Sequence, residues 1–600
     1  MLRKFRRDER GNYAMLTALV MVPVMGALAL AIDYTQMSRH RQATLNALDA
    51  ANMATAWRLL EGKSKEELIV YANDFFTANL GPVKRENTKL HITFPDSSTG
   101  GNTLKMQADL TYKPIFYPVF QALRGEKSGD NAFALNASNE VRLRNTVEVA
   151  LVLDNSGSMD FTGSGSGKKR IDLLKAAAKE LVDTLANQGA MMQQVAKPVQ
   201  FGIVPFAASV NVGSDKEGES WLDMDGVSSI HHENFDWDTM ATIGAGQKRV
   251  EKVEGIYRKL GKLWALKGEE NEKVTRFTLF NELEKVTGSA PWAYWAGCVE
   301  MRPGSYGLDN TVPNRNNPDT LFVPMFAPDE TDIPGWRGAY NNWWADQTGG
   351  EARERLVYMP KYFPAAMQNP SVDDNKGPNL SCTTKPITPL TDVTTSDGLE
   401  TIKNAIDGMV ANGATNVPEG MAWGWRVVSS KVPFTEGRPD EQKGNDKVVI
   451  VLTDGANTYY TPQSLGARDD AENRSIYSNY GYARNRRIFE NTTVDPSIYT
   501  NDNYTKAMNQ QFAKLCDNAK GTGEGKEGEI IVMTVALDLS KWKADEKAQI
   551  EALEACASES RFRKDENGNP AKLFWNATGA DLSDKFKEIA DELSNLRFVS

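Results

Sequence analysis

Residues 12–32 form a run of 21 residues without a formal charge, and no other feature constrains the fold of this chain so tightly. A helix rises about 1.5 Å per residue, so the run is long enough to cross the roughly 30 Å apolar core of a bilayer. Arg3, Lys4, Arg6, Arg7 and Arg10 precede it, whereas the twenty residues after Asp33 carry only Arg39 and Arg41 as formal cations. That asymmetry predicts a cytoplasmic N-terminus and export of everything after Asp33. A cleavable signal peptide, with small residues around Ala27, Ala29 and Ala31 as its cleavage region, is the competing reading. The run exceeds the roughly 7–15 residues of a signal peptide's apolar region, which favours the span.

At about 100–200 residues per domain, 600 residues imply more than one domain and ample core material. The 79 acidic side chains outnumber 69 basic ones for a net charge of -10. With no long Lys/Arg stripe, a nucleic-acid partner is not expected. The four cysteines, Cys298, Cys382, Cys516 and Cys556, show no zinc-type spacing. In an oxidising exported compartment the economical pairing is Cys298 with Cys382 and Cys516 with Cys556, although four cysteines allow three connectivities.

After the span, residues 34–60 run without Gly or Pro and are rich in Ala, Leu and Met, so the helix is expected to continue past the membrane. Residues 65–80 also read as helical. Alternating runs at 90–94, 103–112 and 133–143 suggest a small antiparallel sheet beside these helices. The predicted organisation is a cytoplasmic tail (1–12), a transmembrane helix (13–33), a membrane-proximal α+β module (34–145) and an α/β domain (146–600). In that last domain, apolar strand runs at 147–153, 199–210, 448–452 and 530–537 alternate with helical stretches at 170–186, 399–409, 418–428, 504–519, 545–557 and 580–596. Continuous apolar strands separated by helices imply a mostly parallel, doubly wound sheet covered on both faces. Two long, aromatic insertions interrupt the series, at about 211–385 and 456–503. The first holds eight of the thirteen tryptophans, including Trp292, Trp295, Trp343 and Trp344, which read as a small core rather than as a binding face.

Asp154-Asn155-Ser156-Gly157-Ser158 follows directly on the first strand run, which places a carboxylate and two hydroxyls at the strand's C-terminal end, where open α/β sheets bind ligands. Hard cations such as Mg²⁺ take oxygen ligands, and few carboxylates among hydroxyls leave the ion seeking one more. With Gly413-Ala414-Thr415-Asn416 between two helices and Leu452-Thr453-Asp454-Gly455 after a later strand, the set resembles the metal-ion-dependent adhesion site (MIDAS) of von Willebrand factor A (vWA) domains. The resemblance implies that Ser156, Ser158 and Thr415 contact a divalent cation, Mg²⁺ first with Mn²⁺ and Ca²⁺ as alternatives. It implies that Asp154 and Asp454 bind the ion directly or through water, and that an acidic residue of a protein partner completes the shell. The alternative is that these Ser and Asp residues only cap helices and shape turns.

The basic start, Gly11-Asn12, the apolar span, Ile32-Asp33-Tyr34 and the Ala-rich helix resemble TadE/TadG-type proteins of Flp/Tad pilus assembly. Trp295-Ala296-Gly297-Cys298-Val299-Glu300 and Pro386-Ile387-Thr388-Pro389-Leu390-Thr391 are similar to the TadG group. The fifth position after Gly11 is Leu16, where processed pilins carry Glu, so prepilin-peptidase processing is not implied. The family implies a single-pass bacterial inner-membrane protein with an adhesion or assembly role, its bulk periplasmic or extracellular.

Other candidate chemistry is weaker. Residues 163–168, Gly-Ser-Gly-Ser-Gly-Lys, lie between a strand and a helix, but Thr162 and Lys169 stand where a Walker loop needs Gly and Ser/Thr. They read as a flexible loop, and no nucleotide is expected. His231-His232-Glu233 reads as solvated, and Asp373-Asp374 and Asp469-Asp470 as surface charge. No catalytic residue is identified; a metal-dependent hydrolase and a scaffold rigidified by its metal are the alternatives. If residues 199–210 lie parallel to the first strand, both insertions leave from the metal edge and are expected to frame the ion and select its ligand.

Overall fold

The structure, a computed structural model, describes residues 10–60, 63–94, 103–123, 132–142, 146–192, 195–284, 293–333, 335, 337–344, 350–363, 376–442, 444–522 and 530–596. Trp292 and the Asp373-Asp374 pair fall outside them. The chain divides into two compact units, with the main boundary between Asn145 and Thr146.

In the first unit, helix α1 (Arg10–Leu60) is continuous over 51 residues. Its exposed apolar part, with Leu16, Leu19, Met21, Val22 and Met25 each about half exposed or more, gives way to a buried stripe at Thr44, Ala47, Leu48, Ala51, Asn52 and Thr55. That helical spacing is what one packed face requires. Helix α2 (Lys65–Asn79) starts at a capping box between Ser64 and Glu67. Strands β1 (Thr88–Thr93), β2 (Thr103–Tyr112) and β3 (Phe133–Arg142) form an antiparallel sheet in that order. Leu104, Met106, Ala108 and Leu110 of β2 alternate inward onto the α1 stripe, and a short helix α3 (Tyr117–Leu123) lies in the β2–β3 connection.

The second unit is built on a six-stranded sheet. Its strands are β4 (Thr146–Asp154), β5 (Val199–Phe206), β8 (Thr388–Asp392), β9 (Asn445–Thr453), β10 (Ile531–Leu537) and β13 (Phe574–Ala577), in the order β13-β10-β9-β4-β5-β8. All pairs are parallel except β5 with the edge strand β8. Counted along the chain this is the 3-2-1-4-5-6 order of a doubly wound sheet, whose switch point lies between β4 and β9. The mostly parallel α/β sheet expected for a vWA-type fold is therefore present.

Helices α4 (Arg170–Ala190), α6 (Ser396–Asp407) and α10 (Leu582–Leu596) cover one face; α7 (Val417–Val428), α8 (Asn501–Lys520) and α9 (Ala544–Cys556) cover the other. Between them, α5 (Arg276–Glu284) and the hairpin β6 (Arg249–Val253) and β7 (Ile256–Leu260) belong to the first insertion, and the hairpin β11 (Glu559–Lys564) and β12 (Pro570–Lys572) precedes β13. The disulfides are Cys298–Cys382 and Cys516–Cys556, as expected; the second staples α8 to α9.

Four expectations change. The strand at 199–210 ends at Phe206, because the Ala207 N–H bonds the Ser209 carbonyl and turns the chain back. The edge strand Thr388–Asp392 carries little apolar signal and becomes a strand through its neighbour, and Phe574–Ala577, apolar but only four residues long, is fixed as a strand by its pairing with β10. Residues 163–168 are an ordered turn, closed by Gly163 N–H to the Lys168 carbonyl and tied down by Ser164 N–H to Asp538 (2.9 Å). His231 is buried and His232 half-buried, not solvated: His231 Nδ1 lies 2.8 Å from Asp223, and the Arg276 N–H donates to His231 Nε2.

The described tryptophans of the first insertion do form core. Trp237, Trp264, Trp295 and Trp343 join one cluster with Trp423 of α7, so this segment shares the core of the sheet's α7 face rather than building a separate one.

Candidate metal centre

The parallel register fixes where the motif residues meet. Leu153 pairs with Leu452, which sets Asp154 beside Thr453 and leaves Asp454 just past the strand end. A third loop arrives from between α6 and α7. Asn412 N–H donates to the Asn155 carbonyl (2.7 Å) and Gly157 N–H to the Gly413 carbonyl (2.9 Å), stitching that loop to the β4 loop. Gly413 has φ +105°, a conformation that calls for glycine, and a Cβ there would also crowd Thr383 Oγ1 (3.0 Å) and Ala207 Cβ (3.3 Å).

All five predicted residues come together. Ser156 Oγ lies 3.0 Å from Ser158 Oγ, and Ser158 Oγ donates to Asp454 Oδ1 at 2.6 Å. A Cβ added to Gly455 would sit 3.4 Å from Thr415 Oγ1 and 3.6 Å from Ser158 Oγ. Glycine thus leaves open the space on which the hydroxyls of two separate loops converge.

The two carboxylates have different surroundings. Asp154 is fully buried and accepts from Ser156 N–H (2.7 Å) and Thr453 Oγ1 (2.6 Å), both neutral donors. Burial, then the nearby Asp454 charge, pushes its carboxyl up to about 7. Asp454 is also raised by burial, while Ser158 and Arg170 pull it back. Arg170 bridges Asp454 Oδ2 (2.8 Å) and Asp538 Oδ2 (3.1 Å).

Glu148 at the other end of β4 is an internal control. It too is fully buried, but it accepts from two cations, Arg438 (2.9 Å) and Lys447 (2.9 Å), besides Gln200 and Asn445. Buried charges are ordinarily paired in this way. A divalent cation beside Asp154 and Asp454 would supply the pairing that Glu148 obtains from side chains, and oxygen-only donors suit Mg²⁺, Mn²⁺ or Ca²⁺. Among the described residues no group of three His, Cys, Asp or Glu side chains forms a metal cluster; the donors here are mostly hydroxyls.

Arg170, Thr453 and Asp538 join the site beyond the five residues of the sequence motif. Asp538 was findable, since β10, like β4 and β9, runs into an Asp at the same sheet edge. Nothing local marks Arg170, the first residue of α4.

Both insertions reach this edge. Thr458 Oγ1 accepts from Thr415 N–H (2.7 Å), Asn457 Oδ1 from Val417 N–H (2.9 Å), and Asn479 pairs with Asn416. From the first insertion, Thr383 Oγ1 donates to the Asn412 carbonyl (2.8 Å). These contacts are amides and hydroxyls, not acids. The first insertion also runs along α7 to its far end, where Arg426 donates to the Gly307 carbonyl and Asn310 to Ser429.

Residues 11–58 match the Tad family, described as Flp pilus-assembly TadE/G-like. No curated protein matches the chain. Among solved structures it is similar to the pilus adhesin SpaC from Lactobacillus rhamnosus GG, at 10% identity and TM-score 0.30 over 85% of this chain and 35% of that one. It is similar to the PilB minor pilin from Streptococcus sanguinis at 11% identity and TM-score 0.28, covering 85% and 79% of the two chains. A third is the adhesive tip pilin GBS104 from Group B Streptococcus agalactiae, at 10% identity and TM-score 0.30 over 75% and 98%. The chain spans about a third of the length of SpaC, at 35%.

Proposed function

We propose that this protein is a membrane-anchored, non-enzymatic adhesion or assembly component of a Flp/Tad-type pilus system, which holds a protein partner through a divalent cation. Residues 13–33 would anchor it in the inner membrane with the N-terminus cytoplasmic, and the second unit would work on the exported side. Ser156, Ser158 and Thr415 would contact the cation, with Asp154 and Asp454 bound directly or through water. When bound, the cation supplies the positive charge that an acidic side chain of the partner recognises. Asp154 is held in place by Ser156 N–H and Thr453, and Arg170 holds Asp454. The observation that carries the reading is the fully buried Asp154 with neutral donors only, beside a second buried carboxylate, at the switch point of the sheet.

A second reading, a scaffold whose metal only rigidifies the domain, draws support from the hydrogen bonds of Asp454 to Ser158 and Arg170, which already knit the loops. Pull-down from envelope extracts with the full chain, with and without chelator and with Asp154→Ala, tests the first. Capture that depends on metal and on Asp154 is expected. Equal capture in all samples contradicts it, and Thr415→Ala that loses stability while retaining capture points to the scaffold.

A further inference from the structure

The β2–β3 connection of the first unit carries an apolar group that its own unit leaves uncovered. Ile115, Phe116 and Val119 are 64%, 38% and 57% exposed, although this unit has a formed core elsewhere. Helix α3 is only seven residues long, too short to be stable by itself. Its start is pinned instead by a buried carboxylate: Asp33 Oδ1 accepts from Ile115 N–H (2.9 Å), and Oδ2 from Phe116 N–H (2.9 Å) and Tyr117 N–H (2.7 Å).

Asp33 is the first formal charge after the apolar run, so this bond set ties α3 to the boundary of the membrane span. From there the segment turns toward the span. Phe116 and Val119 line a cavity of about 450 Å³ whose remaining walls are Ala18, Met21, Val22, Met25, Gly26 and Ala29 of α1. At 1.5 Å per residue, Met25 lies about 12 Å, and Val22 about 16 Å, below Asp33 along the helix. The groove therefore opens at a depth where the surroundings of α1 are hydrocarbon.

We infer that residues 115–123 are a second membrane-contacting element, a foot that dips into the bilayer beside α1, and that lipid acyl chains fill the groove between them. This rests on the reading of residues 13–33 as a membrane span. The continuous exposure of Leu16, Leu19, Met21, Val22 and Met25 fits lipid better than a second copy of the chain, which would single out one stripe of α1. The absence of a formal charge from residues 114–123 agrees with that depth, and the polar N–H groups at its start are satisfied by Asp33, as hydrocarbon surroundings require.

The test places a fluorophore on the full chain in phosphatidylcholine vesicles that contain acyl-chain spin-labelled lipid. The four native cysteines are all in disulfides, so introduced cysteines label selectively. Met21→Cys reports the span, Val119→Cys and Ile115→Cys report the foot, and Glu66→Cys, beyond the far end of α1, reports water. An interfacial element sinks about 5–10 Å, so labels at 21, 115 and 119 are each expected to lose roughly half their emission to the spin label, and the label at 66 very little. Quenching at 21 but at neither 115 nor 119 would overturn the foot and leave the anchor standing. No quenching at 21 would remove the anchor and the foot together. Oxidative cross-linking of unlabelled Val119→Cys between two copies, without lipid quenching at 119, would assign the groove to a second copy and overturn the proposal.

Discussion

Replacing Asp154 with Asn should stabilise the second unit when metal is chelated, and abundant metal should narrow that advantage by stabilising the parent chain alone. The side chains are isosteric, and the hydrogen bonds survive. The amide oxygen can keep the Ser156 N–H, and the amide nitrogen can donate to Thr453 Oγ1, which has the Gly455 carbonyl as an alternative acceptor for its own proton. What changes is the charge. Burial and Asp454 hold the Asp154 carboxyl at about 7 against an ordinary 3.8. At about 1.4 kcal/mol per pKa unit, ionising it in the folded protein at pH 8 costs on the order of 4 kcal/mol as an upper bound. The sign follows from the raised value: the favourable contribution is complete below about 4 and is lost as pH rises through about 7. Asn does not ionise and escapes that loss. With cation at about a hundred times its Kd the parent chain gains roughly 2.7 kcal/mol, and the variant should gain nothing. Every tryptophan except Trp57 lies in the second unit, so urea unfolding followed by tryptophan fluorescence, at pH 8 with chelator or with Mg²⁺, reads that unit directly. Loss of stability on Asp154→Asn in chelator would refute the electrostatic reasoning. A Mg²⁺ response of equal size in both proteins would refute the site.

Arg170→Gln removes the cation that bridges Asp454 and Asp538; the chelated protein is expected to lose about 3–5 kcal/mol, as for a broken buried pair, while titration calorimetry shows tighter Mg²⁺ binding. Glu330 is buried, accepts from Tyr482 and Asn341 N–H, and is pushed up to about 7 by burial first and nearby acids second. Its contribution is therefore present below about 4.5 and lost as pH rises through about 7, so Glu330→Gln should flatten the fall in stability between pH 5 and 8, measured by urea midpoints. Replacing Cys516 and Cys556 by Ala opens a loop with a sequence separation of 40 and is expected to cost about 4 kcal/mol, read as a lower urea midpoint than that of the oxidised parent.

The strands and helices around the sheet were legible because their signals are local: continuous apolar runs for parallel strands, helical periodicity between them, and Gly, Asn and Ser at the turns. The edge strand Thr388–Asp392 was not, because it is made a strand by the β5 backbone beside it and not by its own residues. The His231-His232 pair misled for a related reason. Polar residues in a polar stretch read as solvated, yet Asp223, Arg276 and the Trp237 ring enclose them.

The same division runs through the site and the first unit. By itself the sequence determined the apolar run, the alternation that makes a doubly wound sheet and the five oxygen-bearing residues on three loops, since each depends on residue type or spacing. Only the tertiary structure decided that Asp154 is buried among neutral donors while Glu148 on the same strand has two cations, that Arg170 bridges Asp454 and Asp538, and that Asp33 pins residues 115–117 beside α1. Those are matters of charge, burial and non-local hydrogen bonding. A carboxylate's environment is set by whichever groups packing brings within a few ångströms, and the chain separates those groups by up to hundreds of residues.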